Sequence, residues 1–186
     1  RQMCIRDSAY KDLNGDKIID GRDVKELGNS FPRTTLGIDL NVSYKGWGLY
    51  LQGYSELGVH TWATNAYYWN NGEGKYSKLA LDRYHPANNP TGSYPRLTTN
   101  AGENNFRNSS FWLKNTSFFR MKNVELSYTF NQFSPSSVVK KMKVFARGAN
   151  LFVLSSVKDL DPELLNAGVT NYPVTRTFTG GVSFVF

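Results

Sequence analysis

Residues 36–44 read Leu-Gly-Ile-Asp-Leu-Asn-Val-Ser-Tyr. Every second side chain, Leu36, Ile38, Leu40, Val42 and Tyr44, is apolar, and those between them, Gly37, Asp39, Asn41 and Ser43, are small or polar. A period of two is that of an extended strand with one face away from water and the other in it. Lys45-Gly46 then makes a tight turn. Trp47 to Tyr54 alternates again, with Trp47, Leu49 and Leu51 opposite Gly48, Tyr50, Gln52 and Tyr54, so the two runs form a hairpin.

The same pattern recurs downstream. From Phe118 to Phe130, Val124, Leu126, Tyr128 and Phe130 alternate with Asn123, Glu125, Ser127 and Thr129. A fourth strand, Lys143 to Leu154, is mixed: Val144, Ala146, Gly148 and Phe152 share one face, but Phe145, Ala149 and Leu151 share the other with Arg147. The last run sets Phe178, Gly180, Val182, Phe184 and Phe186 against Thr179, Gly181, Ser183 and Val185. Each is near the ~9–11 residues that a tilted strand needs to cross a bilayer.

A soluble one-sided sheet also alternates, but it needs a helix or second sheet over its apolar face, and no amphipathic helix long enough is present. The composition agrees with lipid as the covering medium. Of 186 residues 15% are aromatic and 20% charged, Gly numbers 16, and aromatics flank the aliphatic stretches as interfacial girdles do. Mean hydropathy is −0.46 and no long apolar run occurs, which excludes a transmembrane helix but not transmembrane strands. The expected fold is therefore all-β, an antiparallel transmembrane β-barrel segment with long extracellular loops.

Connection lengths are independent of the strand pattern. Those after strands two and four are long, residues 55–117 and 155–177, whereas those after one and three are a dozen residues or fewer. Outer-membrane barrels alternate in this way, with short periplasmic turns and long outer loops. Parity then puts 9–33, 55–117 and 155–177 at the cell surface. Five strands cannot close, because bacterial barrels begin at eight, so a larger barrel is expected around them. The alternate apolar residues ending in Val182, Phe184 and Phe186 have the form of the signal read by the Gram-negative barrel-assembly machinery.

Two loops carry candidate chemistry. Asp12, Asn14, Asp16, the Ile18 carbonyl, Asp20 and Asp23 stand at positions 1, 3, 5, 7, 9 and 12 of a calcium-loop spacing. Lys17 replaces the usual Gly at position 6, and Asp23 replaces the bidentate Glu at position 12, so a loop of Asx turns that binds nothing is the competing reading. The second long loop holds Trp62, Tyr67, Tyr68, Trp69 and Tyr76 among Asn65, Asn70, Asn71 and Glu73. Rings that stack on sugars and amides that bond hydroxyls suit ligand contact, and they equally suit contact with a lid protein or an interfacial belt.

Other classes are excluded by what is missing. The charge of +7 is scattered with no recognition helix or RNP motif, so no nucleic-acid partner is expected. His60 and His85 make no metal pair, no serine has a base and an orienter, and no glycine-rich phosphate loop opens a helix, so the chain is not read as an enzyme. The single cysteine, Cys4, lies in residues 1–8, Arg-Gln-Met-Cys-Ile-Arg-Asp-Ser, which join no downstream pattern and resemble a translated sequencing adapter. An independent genomic read containing those codons would show them to be native.

From about Asp12 to Phe186 the chain resembles the C-terminal end of the SusC/RagA family of TonB-dependent outer-membrane transporters. The similar stretches are Asp12-Leu-Asn-Gly-Asp-Lys-Ile-Ile-Asp20, Gly28-Asn-Ser-Phe-Pro32, Tyr44-Lys-Gly-Trp47, Asp82-Arg-Tyr-His-Pro86 and Tyr94-Pro-Arg96. They continue through Phe118-Phe-Arg-Met-Lys-Asn-Val124, Leu126-Ser-Tyr-Thr-Phe130, Gly148-Ala-Asn-Leu-Phe152, Asp161-Pro-Glu163 and Tyr172-Pro-Val-Thr-Arg-Thr-Phe178. The resemblance implies the last five or so strands of a barrel of about 22 with a plugged lumen. It also implies a SusD-like lipoprotein lid, TonB-ExbB-ExbD acting through a part not present here, outer-membrane lipids around the wall, and an oligosaccharide or peptide as cargo. The organisation expected is 1–8 adapter-like, 9–33 an extracellular loop with the calcium-like motif, and 34–186 barrel strands. The competing class is a secreted β-rich carbohydrate-binding or adhesin module with a calcium loop.

Overall fold

The computed structural model describes residues 8–99, 104–131 and 138–186. The adapter-like residues 1–7, Cys4 included, lie outside the described residues; Ser8 lies inside them.

Five strands form one antiparallel sheet: β1 (Thr34–Tyr44), β2 (Trp47–Leu57), β5 (Phe118–Phe130), β6 (Lys141–Ser155) and β7 (Thr177–Val185), in the order β1-β2-β5-β6-β7. A second sheet pairs the short strands β3 (His60–Trp62) and β4 (Leu113–Asn115), which the alternation did not reveal because three residues are too few to show a period. Five strands appear where the alternation places them. They run one to three residues longer than expected at their ends for β1, β2 and β6, where the cross-strand pairing continues.

The β1–β2 turn is as tight as its sequence requires. Lys45 at φ 46° and Gly46 at φ 90° are both left-handed, the twist that a two-residue hairpin needs, and a Cβ on Gly46 would meet the Thr129 carbonyl oxygen at 2.8 Å. Tyr44 then pairs with Trp47, and Leu36 with Ser55.

Register sorts the side chains into two faces. On the apolar face Tyr44, Trp47 and Tyr128 line up across β1, β2 and β5, and Phe130, Met142 and Phe184 line up across β5, β6 and β7. The Trp47 and Tyr128 rings are 4.9 Å apart and those of Tyr128 and Phe130 4.7 Å, edge to face, forming one aromatic band. Phe119 and Phe152, 6.3 Å apart, with Phe178, begin a second band at the opposite end. Aliphatic residues fill the space between: Ile38, Leu40, Leu49, Leu51, Val124 and Leu126. This face is open, with Leu36 50%, Ile38 56%, Leu40 45% and Phe184 50% exposed. No self-contained dry core encloses them.

Two irregularities explain the mixed pattern of the fourth strand. Lys122 has no partner on β2 or β6, and opposite it Asn150, at φ 53°, and Leu151 have none on β5. The one extra residue shifts the parity of β5, so Phe119 and Met121 share the apolar face with Val124 and Leu126. The two extra residues of β6 leave its parity unchanged: Phe152 and Leu154 stay on the apolar face, Val153 on the polar one, and Leu151 lies against Gly148. Phe145, apolar but on the polar face, lies across Gly181, where an added Cβ would meet its Cζ at 2.5 Å. The glycine leaves a hollow and the ring fills it.

The described residues divide into two compact units, 8–28 with 61–99, 104–114 and Leu164–Asn171, and Asn29–His60 with 115–131, 138–163 and Tyr172–Phe186. The second holds the sheet. The first is made of loops and has its own core: Ala63, Tyr68, Tyr94, Phe106, Trp112 and Leu165, all 6% exposed or less.

Candidate functional site

In the loop unit the aromatic residues divide between packing and surface. Trp112, 2% exposed, stacks on Phe106 at 5.9 Å and meets Trp69, Tyr94 and Phe111 edge-on. Its indole N–H donates to the Asn105 carbonyl at 2.9 Å, so the ring is buried without a stranded donor. Tyr68 is 4% exposed, which corrects its expected role in ligand contact: it is a core residue, and its carbonyl accepts from the Tyr94 hydroxyl at 2.6 Å. Burial holds the Tyr94 hydroxyl above its ordinary pKa.

The loop amides are also largely used internally. Asn70, 1% exposed, donates from Nδ2 to Ser77 Oγ at 3.0 Å and accepts from the Ser77 N–H at 2.7 Å; its own N–H donates to Tyr94 Oη at 2.9 Å. Asn65 Nδ2 donates to the Leu165 carbonyl at 2.5 Å. The expectation that these amides serve sugar hydroxyls is therefore corrected for Asn65 and Asn70, because their bonds are spent in holding the loop.

The described residues of this unit form two sizeable hollows among others. One, of about 970 Å³, is lined by Trp62, Tyr84, Phe111, Tyr10, Leu13 and Val24 among others. Trp62 is 36% exposed there. The second, of about 600 Å³, is lined by Tyr67, Trp69, Tyr76, Asn71, Lys75 and Ser77 among others. The Trp69 indole N–H is buried and has no partner among the described residues. Tyr67 and Trp69 thus stand together, and Trp62 stands apart from them. Asp82, which accepts from the Ser93 hydroxyl and N–H and from Asn89, ties 82–94 into one turn, and these donors hold its carboxyl below the usual range.

The Asp12–Asp23 segment is a chain of turns in which carboxylates cap backbone N–H groups. Asp12 accepts from the N–H of Gly15 at 2.6 Å and of Lys17 at 2.7 Å, and Asp23 accepts from those of Leu13 at 2.7 Å and Asp20 at 2.9 Å. Asn14 Oδ1 and Asp16 Oδ1 accept from the N–H groups of Asp16 and Ile18. Lys17 adopts φ 65°, the left-handed geometry for which a calcium loop normally uses Gly. Arg22 reaches Asp16 at 2.7 Å and Asp20 at 2.9 Å. Among the described residues no group of three or more acidic, His or Cys side chains is arranged to hold a metal ion. The Arg22 guanidinium lowers the Asp20 pKa, and backbone N–H donors lower that of Asp23.

On the sheet's polar face charged groups are paired across strands. Glu125, whose side chain is 10% exposed, takes Lys143 at 2.8 Å and Arg147 at 2.5 Å, and the Phe145 ring lies between the two cations. Asn123 donates to Gln52 at 2.7 Å, and Gln52 and Tyr50 donate to Asp39 at 3.3 Å. At the far end Arg120, 4% exposed in its side chain, reaches Asp161 Oδ1 at 2.6 Å and Glu163 Oε2 at 2.8 Å. The Tyr54 hydroxyl donates to the other oxygen of Glu163. Pattern reading missed this cluster: Arg120 and Asp161 are 41 residues apart, and only their shared presence among the family-like stretches marked them. On β7, Val182 and Phe184 are half-exposed on the apolar face, and Phe186, just past the strand, is 70% exposed.

Comparison with known proteins supplies the family. The chain is 31% identical over 200 residues to TonB-dependent receptor P26 of Formosa agariphila, covering 99% of this chain and 20% of that protein. It is 35% identical over 81 residues to TonB-dependent receptor SusC of Bacteroides thetaiotaomicron, 42% of this chain and 8% of that one. The RagAB peptide importer superposes on it in its closed-closed state with TM-score 0.65 at 26% identity, over 83% of this chain and 17% of that one. In the open-open state the TM-score is 0.71 at 24% identity, over 95% and 20%. The chain belongs to the SusC/RagA family of TonB-dependent receptors. It spans about a fifth of the length of the receptor that it matches from end to end. No family model matches it. For a SusC/RagA segment the open sheet is a piece of barrel wall, and the unpaired outer edges of β1 and β7 are where the rest of such a barrel continues.

Proposed function

We propose that the chain is wall and surface loops of an outer-membrane receptor that imports oligosaccharides or peptides, in a Gram-negative bacterium, with a SusD-like lipoprotein over its mouth and TonB-ExbB-ExbD driving it. One observation carries the reading: a five-stranded sheet whose apolar face is half-exposed and banded by aromatics at both ends, and whose polar face carries paired charges. Lipid covers the first face, and the second lines a wet lumen. The relatives are named as receptors, and the RagAB importer as a carrier of peptides, which supports transport over catalysis.

Deleting the complete gene and measuring uptake of defined oligosaccharide and peptide mixtures tests the proposal. Loss of uptake of one of them, restored by the gene, is the expected result; unchanged uptake of all of them refutes it. Capture by the loops is assigned to Trp62, Tyr67 and Trp69, the aromatics that line hollows. Replacing Trp62 by Ala is expected to weaken cargo capture severalfold while leaving the amount of folded barrel unchanged. Val182, Phe184 and Phe186 are assigned to recognition by the assembly machinery, tested by the outer-membrane level of a Phe186→Ser variant. Calcium at Asp12, Asn14, Asp16, Ile18, Asp20 and Asp23 rests on the donor set alone and requires Arg22 to give way. Titration calorimetry on the full receptor, without heat at millimolar calcium, would dismiss it.

A further inference from the structure

Arg120 is the most deeply enclosed charged side chain of the sheet, and the groups that meet it, Asp161, Glu163 and Phe118, belong to the sheet unit. It sits opposite Tyr54 on β2 and Val153 on β6, so its side chain rises from the polar face. One terminal nitrogen lies 2.6 and 2.7 Å from the two oxygens of Asp161, and Nε lies 2.8 Å from Glu163, an ion-pair contact whose geometry makes no hydrogen bond. Tyr54 donates its hydroxyl to Glu163, and its ring stands edge-on to Phe118 at 5.3 Å; the Phe118 ring is 5.7 Å from the guanidinium carbon. Between the two carboxylates Pro162 is buried, with its φ locked by the ring, and the Glu163 N–H donates to Asp161 Oδ1 at 3.0 Å. The connection after β6 therefore turns down onto the polar face at Asp161-Pro162-Glu163.

A guanidinium this enclosed is stable only while its carboxylates stay. With the loop in place water reaches only 4% of this side chain, and lifting the loop would part it from two carboxylates at once, a larger cost than parting an exposed pair. Burial pushes the Glu163 carboxyl up from its ordinary value, and the Tyr54 hydroxyl and the guanidinium beside it both favour the ionised form.

We propose that Arg120 is a positioning residue that keeps Asp161–Glu163 fixed on the polar face throughout transport, so that this stretch is permanent lining of the solute path and not a flap that opens over it. The proposal rests on the transporter reading above for the meaning of the path, and on the cluster alone for the fixed loop.

The test uses the full-length receptor with Pro162→Cys as its only accessible thiol, in whole cells, with a membrane-impermeant maleimide as probe. With Arg120 intact, labelling is expected to be slow and equal in energised cells and in cells treated with a protonophore. Arg120→Met should speed it at least tenfold while the barrel remains heat-modifiable. Arg120→Lys should fall between, because one ammonium cannot span both carboxylates as the fork does. Should Arg120→Met fail to reach the membrane, Asp161→Asn removes one arm of the clamp and is expected to raise the rate severalfold. Equal rates with and without Arg120, or a tenfold rise in the intact receptor on energisation, overturns the proposal. Failure of the transporter reading shows separately, as unchanged cargo uptake in the gene deletion, and leaves the labelling ratio to be read on the same protein purified in detergent.

Discussion

The sheet and the loop unit bury opposite things. In the loops Trp112 is 2% exposed and Leu165 1%, whereas on the sheet Ile38 is 56% exposed and Phe184 50%, although all four are large apolar side chains. The loops therefore carry their own dry core and hold their shape in water. The sheet holds its shape through backbone ladders and needs hydrocarbon against one face. The same amino-acid types thus serve two solvents within 186 residues.

Four measurements would break or sharpen that contrast. The largest effect is expected in the loop core: Trp112→Ala should cost about 3–5 kcal/mol. Protease digestion of the refolded receptor in detergent should then cut within 61–114 while the sheet resists. Cutting of both together would mean that the units share one core. Next is the apolar face, where Leu40→Arg should cost about 2–4 kcal/mol near the bilayer midplane, read as reduced urea resistance in lipid vesicles. Its neighbour Asn41→Arg should change that resistance little; equal penalties would mean that the faces are not lipid and water.

A smaller effect is expected at Asn70→Ala, about 1–3 kcal/mol for leaving the Ser77 groups that it satisfies unpaired. Loss of amide protection at Ser77 is the readout. The smallest is a pH effect. The folded pKa of Asp82 is depressed, so its contribution is full above the unfolded value near ~3.9 and is lost as pH falls through the lower folded value. Carboxyl NMR titration should find Asp82 still ionised where free aspartate is half protonated, with the Ser93 amide shifting in step.

Legibility followed locality. Leu36 to Tyr44 and Phe118 to Phe130 could be read directly, since alternation and a Lys-Gly turn are properties of neighbouring residues. The stretch Lys143 to Leu154 read as mixed for a reason invisible in it: Phe145 fills the hollow at Gly181 on another strand, and the bulge takes Asn150 and Leu151 out of the ladder, with Leu151 lying against Gly148. In the long loop the rings were legible as a group but not by role. Tyr68 and Trp62 are the same kind of signal in sequence, and only packing made one a core residue and the other a surface one. Asp82-Arg-Tyr-His-Pro86 and Tyr94-Pro-Arg96 stood out as separate stretches, and the structure joins them, with the Tyr84 N–H donating to the Tyr94 carbonyl at 2.8 Å.

By itself the sequence determined the five long strands, the two faces of those that alternate cleanly and the alternation of short and long connections, because side-chain direction along an extended chain is set residue by residue by backbone stereochemistry. Only the tertiary structure decided that Arg120 meets Asp161 and Glu163, that Asn65 and Asn70 are spent on the loop itself, and that Trp112 is the centre of a core. Those pairings join residues far apart in the chain, and which of many polar or aromatic groups meet is set by packing and desolvation once the backbone has brought them together.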